Sequence, residues 1–238
     1  MSHLDHLSAN LADRRIREWF VNEKSRRERE LVEAAPKPRP ERAVVTISRQ
    51  YGAGGHTFAG LLVAHLGEEW RVWDKEIVDL IAQNASVRKD MVHALDERTR
   101  TLIDHLINGL VASYPFTEEK YRNSLAQALA SVAHHGHQVI IGRGANFILD
   151  EALNVRLIAS PEYRIKAVVE REGIKRQEAI AKINRIDAER SAYIRGLFDR
   201  DVDDPNGYDM VLCMDAISHE TAVAAVASAV RQHASEIP

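Results

Sequence analysis

The sequence predicts an α/β protein built on a five-stranded, doubly wound parallel sheet. Five short runs of apolar and β-branched residues lie at 44–47, 70–73, 138–141, 154–159 and 208–214. Segments with helical spacing separate them, and such alternation is typical of βαβ units. Because connections between parallel strands are right-handed in nearly all proteins, we expect the helices to cover both faces of the sheet.

Length and composition restrict the class of protein. The 238 residues suit one such domain with additions, and 45% hydrophobic and 28% charged residues are ordinary for a globular chain. The formal net charge of -3 argues against a general nucleic-acid-binding protein. The single cysteine, Cys213, excludes an internal disulfide, and we expect it in the core. No apolar run is long enough to cross a membrane, so we expect a cytoplasmic protein.

The chain before the first strand predicts a helical arm outside the sheet domain. Residues 3–34 have helical spacing, with an apolar stripe followed by charges of both signs. The mixed charges are typical of a solvated helix face, and the alternative is a homo-oligomer or docking interface on the stripe. A proline-rich linker ends the helix. We therefore place the arm and linker at 1–40 and the sheet domain at 41–238.

A glycine-rich turn joins the first strand to the next helix and is typical of a phosphate-binding loop. Glycines let successive N–H groups point into the turn, and the helix N-terminus adds the positive end of its dipole. The alternative is a glycine-rich turn without a ligand, which many α/β proteins contain. We expect a phosphate to bind the residues of this turn: Gly52, Ala53, Gly54, Gly55, His56 and Thr57.

The turn departs from the standard phosphate-loop pattern, which is G-x-x-x-x-G-K followed by Ser or Thr. Aligning the last glycines puts Arg49 at the first glycine and Gly55 at the lysine. Gly55 supplies no cation, whereas the long side chain of Arg49 can fold back over the phosphates. His56 is a weaker candidate because neutral imidazole offers at most a partial charge near pH 7. We expect Arg49 to replace the lysine, and the alternative is that it only braces the loop against a carboxylate such as Asp74.

Two further side chains follow strands at the edge where open α/β sheets bind ligands. Asp74 follows the second strand, where it can also cap the next helix. Arg143 follows the third strand between two glycines. Burying an arginine there is costly unless an anion meets it, and its fork geometry suits a phosphate. We expect both residues to bind the substrate, and the alternative for Arg143 is a surface arginine in a turn.

Two helical segments interrupt the alternation of strands and helices. The first, at about 76–135, suits a substrate-binding insertion. The second, at about 173–195, is rich in Lys and Arg and predicts a mobile lid that closes over phosphates and excludes water. The alternative is a solvated helix pair. We expect Arg185 and Arg190 to neutralise charge from this lid, and we assign no side chain as a metal ligand.

Five pieces of the sequence together resemble the cytidylate kinase-like family, relatives of the nucleoside monophosphate kinases. They are TISRQYGAGG at 46–55, WDKEIVDLIA at 73–82, LDE at 95–97, VIIGRGANFIL at 139–149 and YDMVL at 208–212. The resemblance implies a P-loop kinase-type fold with an acceptor-binding insertion and a lid. It also implies ATP as the donor on 52–57, Mg2+ bridging the donor phosphates, and a nucleotide acceptor on Asp74 and Arg143.

Three positions depart from the pattern of a cytidylate kinase. Gly55 replaces the loop lysine, Gly144 replaces an aspartate that reads the pyrimidine, and Ile141 replaces a strand acid that helps to hold Mg2+. The resemblance therefore implies ATP-dependent phosphoryl transfer to a small acceptor, expected to be a nucleoside monophosphate, without fixing the base. The alternatives are a non-catalytic nucleotide-binding or regulatory module and a scaffold that assembles through the arm.

Overall fold

The computed structural model describes residues 43–74 and 116–236. The chain divides into two compact units, one of residues 1–42 with 75–135 and the other of 43–74 with 136–238. The predicted arm and most of the predicted insertion lie outside the described residues. The sheet belongs to the second unit.

The strands that the sequence predicts form one sheet in the described part of the chain. They are β1 (Val44–Arg49), β2 (Arg71–Trp73), β3 (Gln138–Ile141), β4 (Leu153–Ile158) and β5 (Met210–Cys213). The strand order is β2-β3-β1-β4-β5, and every pair of neighbours is parallel. The predicted α/β class with a five-stranded parallel sheet is therefore confirmed.

The described ranges contain five α-helices, two of which follow β4 in succession. They are α1 (Gly55–Leu66), α2 (Phe116–Ala133), α3 (Pro161–Glu172), α4 (Arg176–Phe198) and α5 (His219–Glu236). Ser218 caps α5, because its Oγ accepts the Thr221 N–H at 3.1 Å. Helix α2 lies in the first unit, and the other four lie in the sheet unit. Within these ranges, no helix has the length and apolar character needed to cross a membrane.

Helices α1 and α5 cover one face of the sheet. Alternate residues of β1, Val45 and Ile47, are buried in one cluster with Phe58 of α1 and Val226 of α5. Side chains alternate between the faces of a strand, so Arg49 continues the same face of β1. This places Arg49 below the start of α1.

The opposite face of the central strands carries buried polar pairs. The Thr46 hydroxyl donates to Asn154 Oδ1 at 2.6 Å, and Arg156 Nη1 donates to Ser48 Oγ at 2.9 Å. Arg156 is only 4% exposed and forms an ion pair at 2.5 Å with Asp203, in the loop that follows α4. A buried charge needs such a partner. The pair therefore fixes the loop after α4 against β4.

Cys213 is exposed, so the prediction that it lies in the core is wrong. β5 is the edge strand of the sheet, and its residues alternate between half-buried and exposed. Val211 and Cys213 lie on the face that α1 and α5 leave uncovered, and Val211 is 41% exposed. A short apolar run does not distinguish a fully buried strand from an edge strand of this kind.

Candidate functional site

The turn between β1 and α1 has the geometry of a phosphate-binding loop. Gly52 and Gly54 have φ angles of 87° and 80°, which are left-handed conformations that favour glycine. Gly54 caps α1 without a side chain, and the first helical hydrogen bond runs from the Phe58 N–H to Gly54 O at 2.9 Å. The N–H groups of 55–57 therefore precede the helical ladder and lie at the positive end of the helix dipole.

Contacts with β4 and with α3 hold the loop from two sides. Gln50 donates its N–H to Leu157 O at 3.0 Å, and its side chain accepts the Ala159 N–H at 3.0 Å. On the other side, a Cβ at Gly52 would lie 2.8 Å from the backbone oxygen of Arg164 in α3. Only glycine fits this approach. The loop is therefore held in place by β4 and α3.

Arg49 occupies the space that a side chain at position 55 would need. A Cβ at Gly55 would lie 2.9 Å from Arg49 Cγ and 3.3 Å from its Cδ. The guanidinium continues to Gly142 at the end of β3, where a Cβ would lie 2.5 Å from Arg49 Nη1. The arginine and the two glycines therefore fit each other: the aliphatic part of Arg49 lies beside the start of α1, and its charged end lies at Gly142.

Helix α4 docks directly on the loop. The Asp187 carboxylate accepts the Tyr51 N–H at 2.8 Å and pairs with Arg164 Nη1 at 2.5 Å. One turn further along α4, Arg190 Nη1 donates to the backbone oxygen of Arg49 at 3.1 Å. Burial lowers the pKa of Arg190 and the Asp187 carboxylate at 3.7 Å opposes the shift, but a guanidinium stays charged. Arg190 therefore brings a positive charge to the loop.

The structure does not bring Arg185 to the loop. Its side chain is 61% exposed and donates to Glu189 Oε1 at 2.7 Å, an i,i+4 pair on the outer side of α4. Arg185 precedes Asp187 by two residues, which is about 200° around an α-helix. The two predicted lid arginines therefore lie on different faces, and only Arg190 faces the phosphate loop.

Three residues at the end of β3 have left-handed backbones. The φ angles are 80° at Gly142, 58° at Arg143 and 64° at Gly144. For a non-glycine residue this conformation costs about 1–3 kcal/mol and is common at functional sites. The Arg143 guanidinium lies 5.0 Å from the ring centroid of Tyr193 in α4. The strained backbone therefore directs Arg143 against the same helix that docks on the loop.

Asp74 lies at the same edge of the sheet as Arg143. β2 and β3 are parallel neighbours, with Trp73 opposite Ile140. Asp74 is the first residue beyond β2, and Arg143 is the second beyond β3. The two predicted acceptor-binding residues are therefore at neighbouring strand ends.

The aromatic ring of Phe198 fills the space over Gly144. A Cβ at Gly144 would overlap this ring and come within 2.7 Å of its Cζ atom. Phe147 packs against the same ring, with the two centroids 5.6 Å apart. No side chain can extend from position 144 while Phe198 stays there. Phe198, at the C-terminal end of α4, thus occupies the space that a side chain at position 144 would need.

Sequence reasoning did not select several residues that build this site. They are Tyr51, Arg164, Asp187, Tyr193 and Phe198. The sequence does indicate two of them, Asp187 and Tyr193. They lie three residues on either side of Arg190, so helical spacing puts all three on one face of α4. This face meets both the phosphate loop and the end of β3.

The family model of the cytidylate kinase-like family matches residues 44–216. This range contains the loop, the end of β3 and the whole of α4. The chain belongs to the cytidylate kinase-like family. The resemblance predicted from the sequence is thereby confirmed, and the cytidylate kinase-like protein has a kinase-type fold. No curated protein matches its sequence.

Solved structures with similarity to this cytidylate kinase-like chain include an uncharacterized protein from Eubacterium ventriosum ATCC 27560. It has a TM-score of 0.59 and 18% identity, over 79% of this chain and 98% of that chain. Shikimate kinase from Bacteroides thetaiotaomicron has a TM-score of 0.44 and 14% identity, over 79% and 98%. Dephospho-CoA kinase from Campylobacter jejuni has a TM-score of 0.33 and 12% identity, over 82% and 98%. The protein from Eubacterium ventriosum therefore shares the fold of this chain.

Proposed function

We propose that this protein transfers a phosphoryl group from ATP to a small acceptor, and that the acceptor is a nucleoside monophosphate. The observation that carries the proposal is the path of Arg49, whose stem passes Gly55 and whose guanidinium lies at Gly142, between the phosphate loop and the end of β3. Phosphoryl transfer requires positioning and positive charge more than covalent chemistry. The loop, Arg49 and Arg190 supply both.

The loop residues suit the phosphates of ATP. The N–H groups of 52–56 would hold the β-phosphate, and the Thr57 hydroxyl a neighbouring phosphate. Thr57 is exposed at the start of α1, where its hydroxyl is open to a ligand. Mg2+ would be held mainly by phosphates and water and would neutralise charge on the transferred group.

A second function has its own support. Gly55 carries no charge, and Ile141 is fully buried at the position expected for a metal-binding acid. Both features suit a nucleotide-binding or regulatory module that binds ATP without transfer. Single-turnover assays with labelled ATP and a panel of nucleoside monophosphates separate the two, with ATP affinity measured in parallel. Transfer to one acceptor supports the kinase, ATP binding without any transfer supports the module, and failure to bind ATP contradicts both.

Replacing Arg143 with alanine should weaken acceptor binding and leave ATP binding nearly unchanged. Arg143 lies at the end of β3, outside the 52–57 loop, and the loss of a charge-assisted hydrogen bond costs about 2–3 kcal/mol. Calorimetric titration of both ligands measures the effect. Arg195→Ala is the control, because it also removes an arginine, but one of α4 whose side chain is 68% exposed. Equal loss of both affinities in Arg143→Ala would contradict the assignment.

A further inference from the structure

Tyr51, which directly precedes the glycines of the phosphate loop, directs its N–H, backbone oxygen and hydroxyl at helices α3 and α4. Its N–H donates to Asp187 at 2.8 Å, and its backbone oxygen accepts from Arg164 Nη1 at 3.5 Å. Its hydroxyl donates to Glu172 Oε1 at 2.5 Å. A loop residue that only shaped the turn would use these groups within the loop or leave them to water.

The Tyr51 ring also lies close to three cations, one from α3 and two from α4. Arg171, Arg190 and Lys182 lie 5.1, 5.4 and 5.9 Å from its centroid. Like charges repel one another, and the negative face of the ring offsets this repulsion. The remaining compensation comes from Glu172, which accepts from Lys182 at 2.6 Å and from Arg171 at 2.8 Å.

The Glu172 carboxylate stays ionised in this cluster. Hydrogen bonds from Lys182, Tyr51 and Arg171 lower its pKa from 4.5 to about 2. The ring of Tyr51 also packs against the small apolar cluster between α3 and α4, which contains Ile165 and Ile183. The ring, hydroxyl and backbone of Tyr51 therefore contact both α3 and α4.

We propose that Tyr51 is a positioning residue that sets Arg190 and Lys182 over the phosphate loop for the transfer step. This inference rests on the proposed kinase activity. Because the loop and the lid cations share one residue, the cations keep a fixed distance from the N–H groups at the start of α1. Misplacement by about 1 Å can reduce a reaction rate about 100-fold.

The test compares Tyr51→Leu with Tyr51→Phe in the full-length protein. Leucine removes both the ring and the hydroxyl, and should lower kcat about 100-fold while changing ATP affinity little, since the cations act mainly in the transition state. Phenylalanine keeps the ring and should lower kcat less than about tenfold. Arg176→Ala is the control. It removes an α4 cation whose side chain is 56% exposed and paired with Glu162.

Amide hydrogen exchange of 176–198 is the second readout and needs no acceptor. Tyr51→Leu should speed exchange in α4, while Tyr51→Phe and Arg176→Ala should leave it near wild type. Unchanged kcat or unchanged exchange in Tyr51→Leu would overturn the inference. If the wild type transfers no phosphate, the proposed function fails and the exchange result alone decides whether Tyr51 holds the lid. If Tyr51→Leu does not fold, Asp187→Asn replaces it, because it weakens the contact between the Tyr51 backbone N–H and α4.

Discussion

Replacing Arg49 with alanine should lower phosphoryl transfer by about 10³-fold without unfolding the protein. Arg49 is the cation that passes the start of α1 and reaches the end of β3, over Gly55 and Gly142. Its loss leaves the phosphate loop without the charge that a lysine usually provides. Arg49→Lys should keep the charge but lose the fork geometry, and therefore recover only part of the activity.

Single-turnover transfer and thermal unfolding of the same samples measure this effect. If Arg49 only braces the loop, Arg49→Ala will lower the melting temperature of the ligand-free protein while transfer per folded molecule survives. A destabilised but active variant would therefore contradict the lysine-replacement hypothesis.

A paired exchange sharpens the test. Arg49→Gly with Gly55→Lys restores the standard G-x-x-x-x-G-K pattern, and it also removes the side chain that would meet a Cβ at position 55. Gly55→Lys alone should disturb the loop, because that Cβ would lie 2.9 Å from Arg49 Cγ. We expect the double variant to be more active than either single variant. A double variant no better than Arg49→Gly would mean that the position of the cation is not exchangeable.

Gly144→Ala should destabilise the protein by about 2 to 5 kcal/mol. Two costs add at this position, the left-handed backbone at a φ of 64° and the overlap of the new Cβ with the Phe198 ring. Gly173→Ala is the matched control, since Gly173 has a φ of 66° and nothing within 4 Å of the Cβ position. It should cost only about 1 to 2 kcal/mol, which is the backbone share.

Chemical denaturation of the two variants gives the difference directly. In a Phe198→Ala background the extra loss from Gly144→Ala should shrink to the value of the control, because the overlapping ring is gone. Equal losses in Gly144→Ala and Gly173→Ala, with Phe198 present, would show that the ring yields easily. Position 144 would then be open to a larger side chain.

The sequence predicts the sheet well because buried parallel strands are apolar along their length. β3 lies at the limits expected, and the other four strands differ from expectation only at their ends. The prediction for β5 begins at Tyr208, but in the structure the Tyr208 hydroxyl turns to Val202 O at 2.8 Å and the strand starts at Met210. The sequence also predicts Cys213 in the core, because an apolar run does not show whether its strand lies at the edge of the sheet.

The site is predictable only where spacing along the chain carries the information. Arg49 follows from its distance to the glycines, and Arg143 from its place between two glycines after a strand. The partners of these residues do not follow in this way. Tyr51 and Asp187 are 136 residues apart, and helical spacing alone does not say which face of α4 meets which loop. The contact of Phe198 with Gly144 is equally unpredictable, because the two residues are far apart in the sequence.

The central place of β1 has a consequence for synthesis on the ribosome. β1 is made first but pairs on both sides with strands made much later, and its contact between Thr46 and Asn154 closes 108 residues of chain. At 5–20 residues per second this interval lasts roughly 5 to 20 s. The apolar side chains of β1 lack at least one neighbouring strand during that time. The strand on which the mature sheet is centred is therefore open to aggregation in the nascent chain until its last neighbour is made.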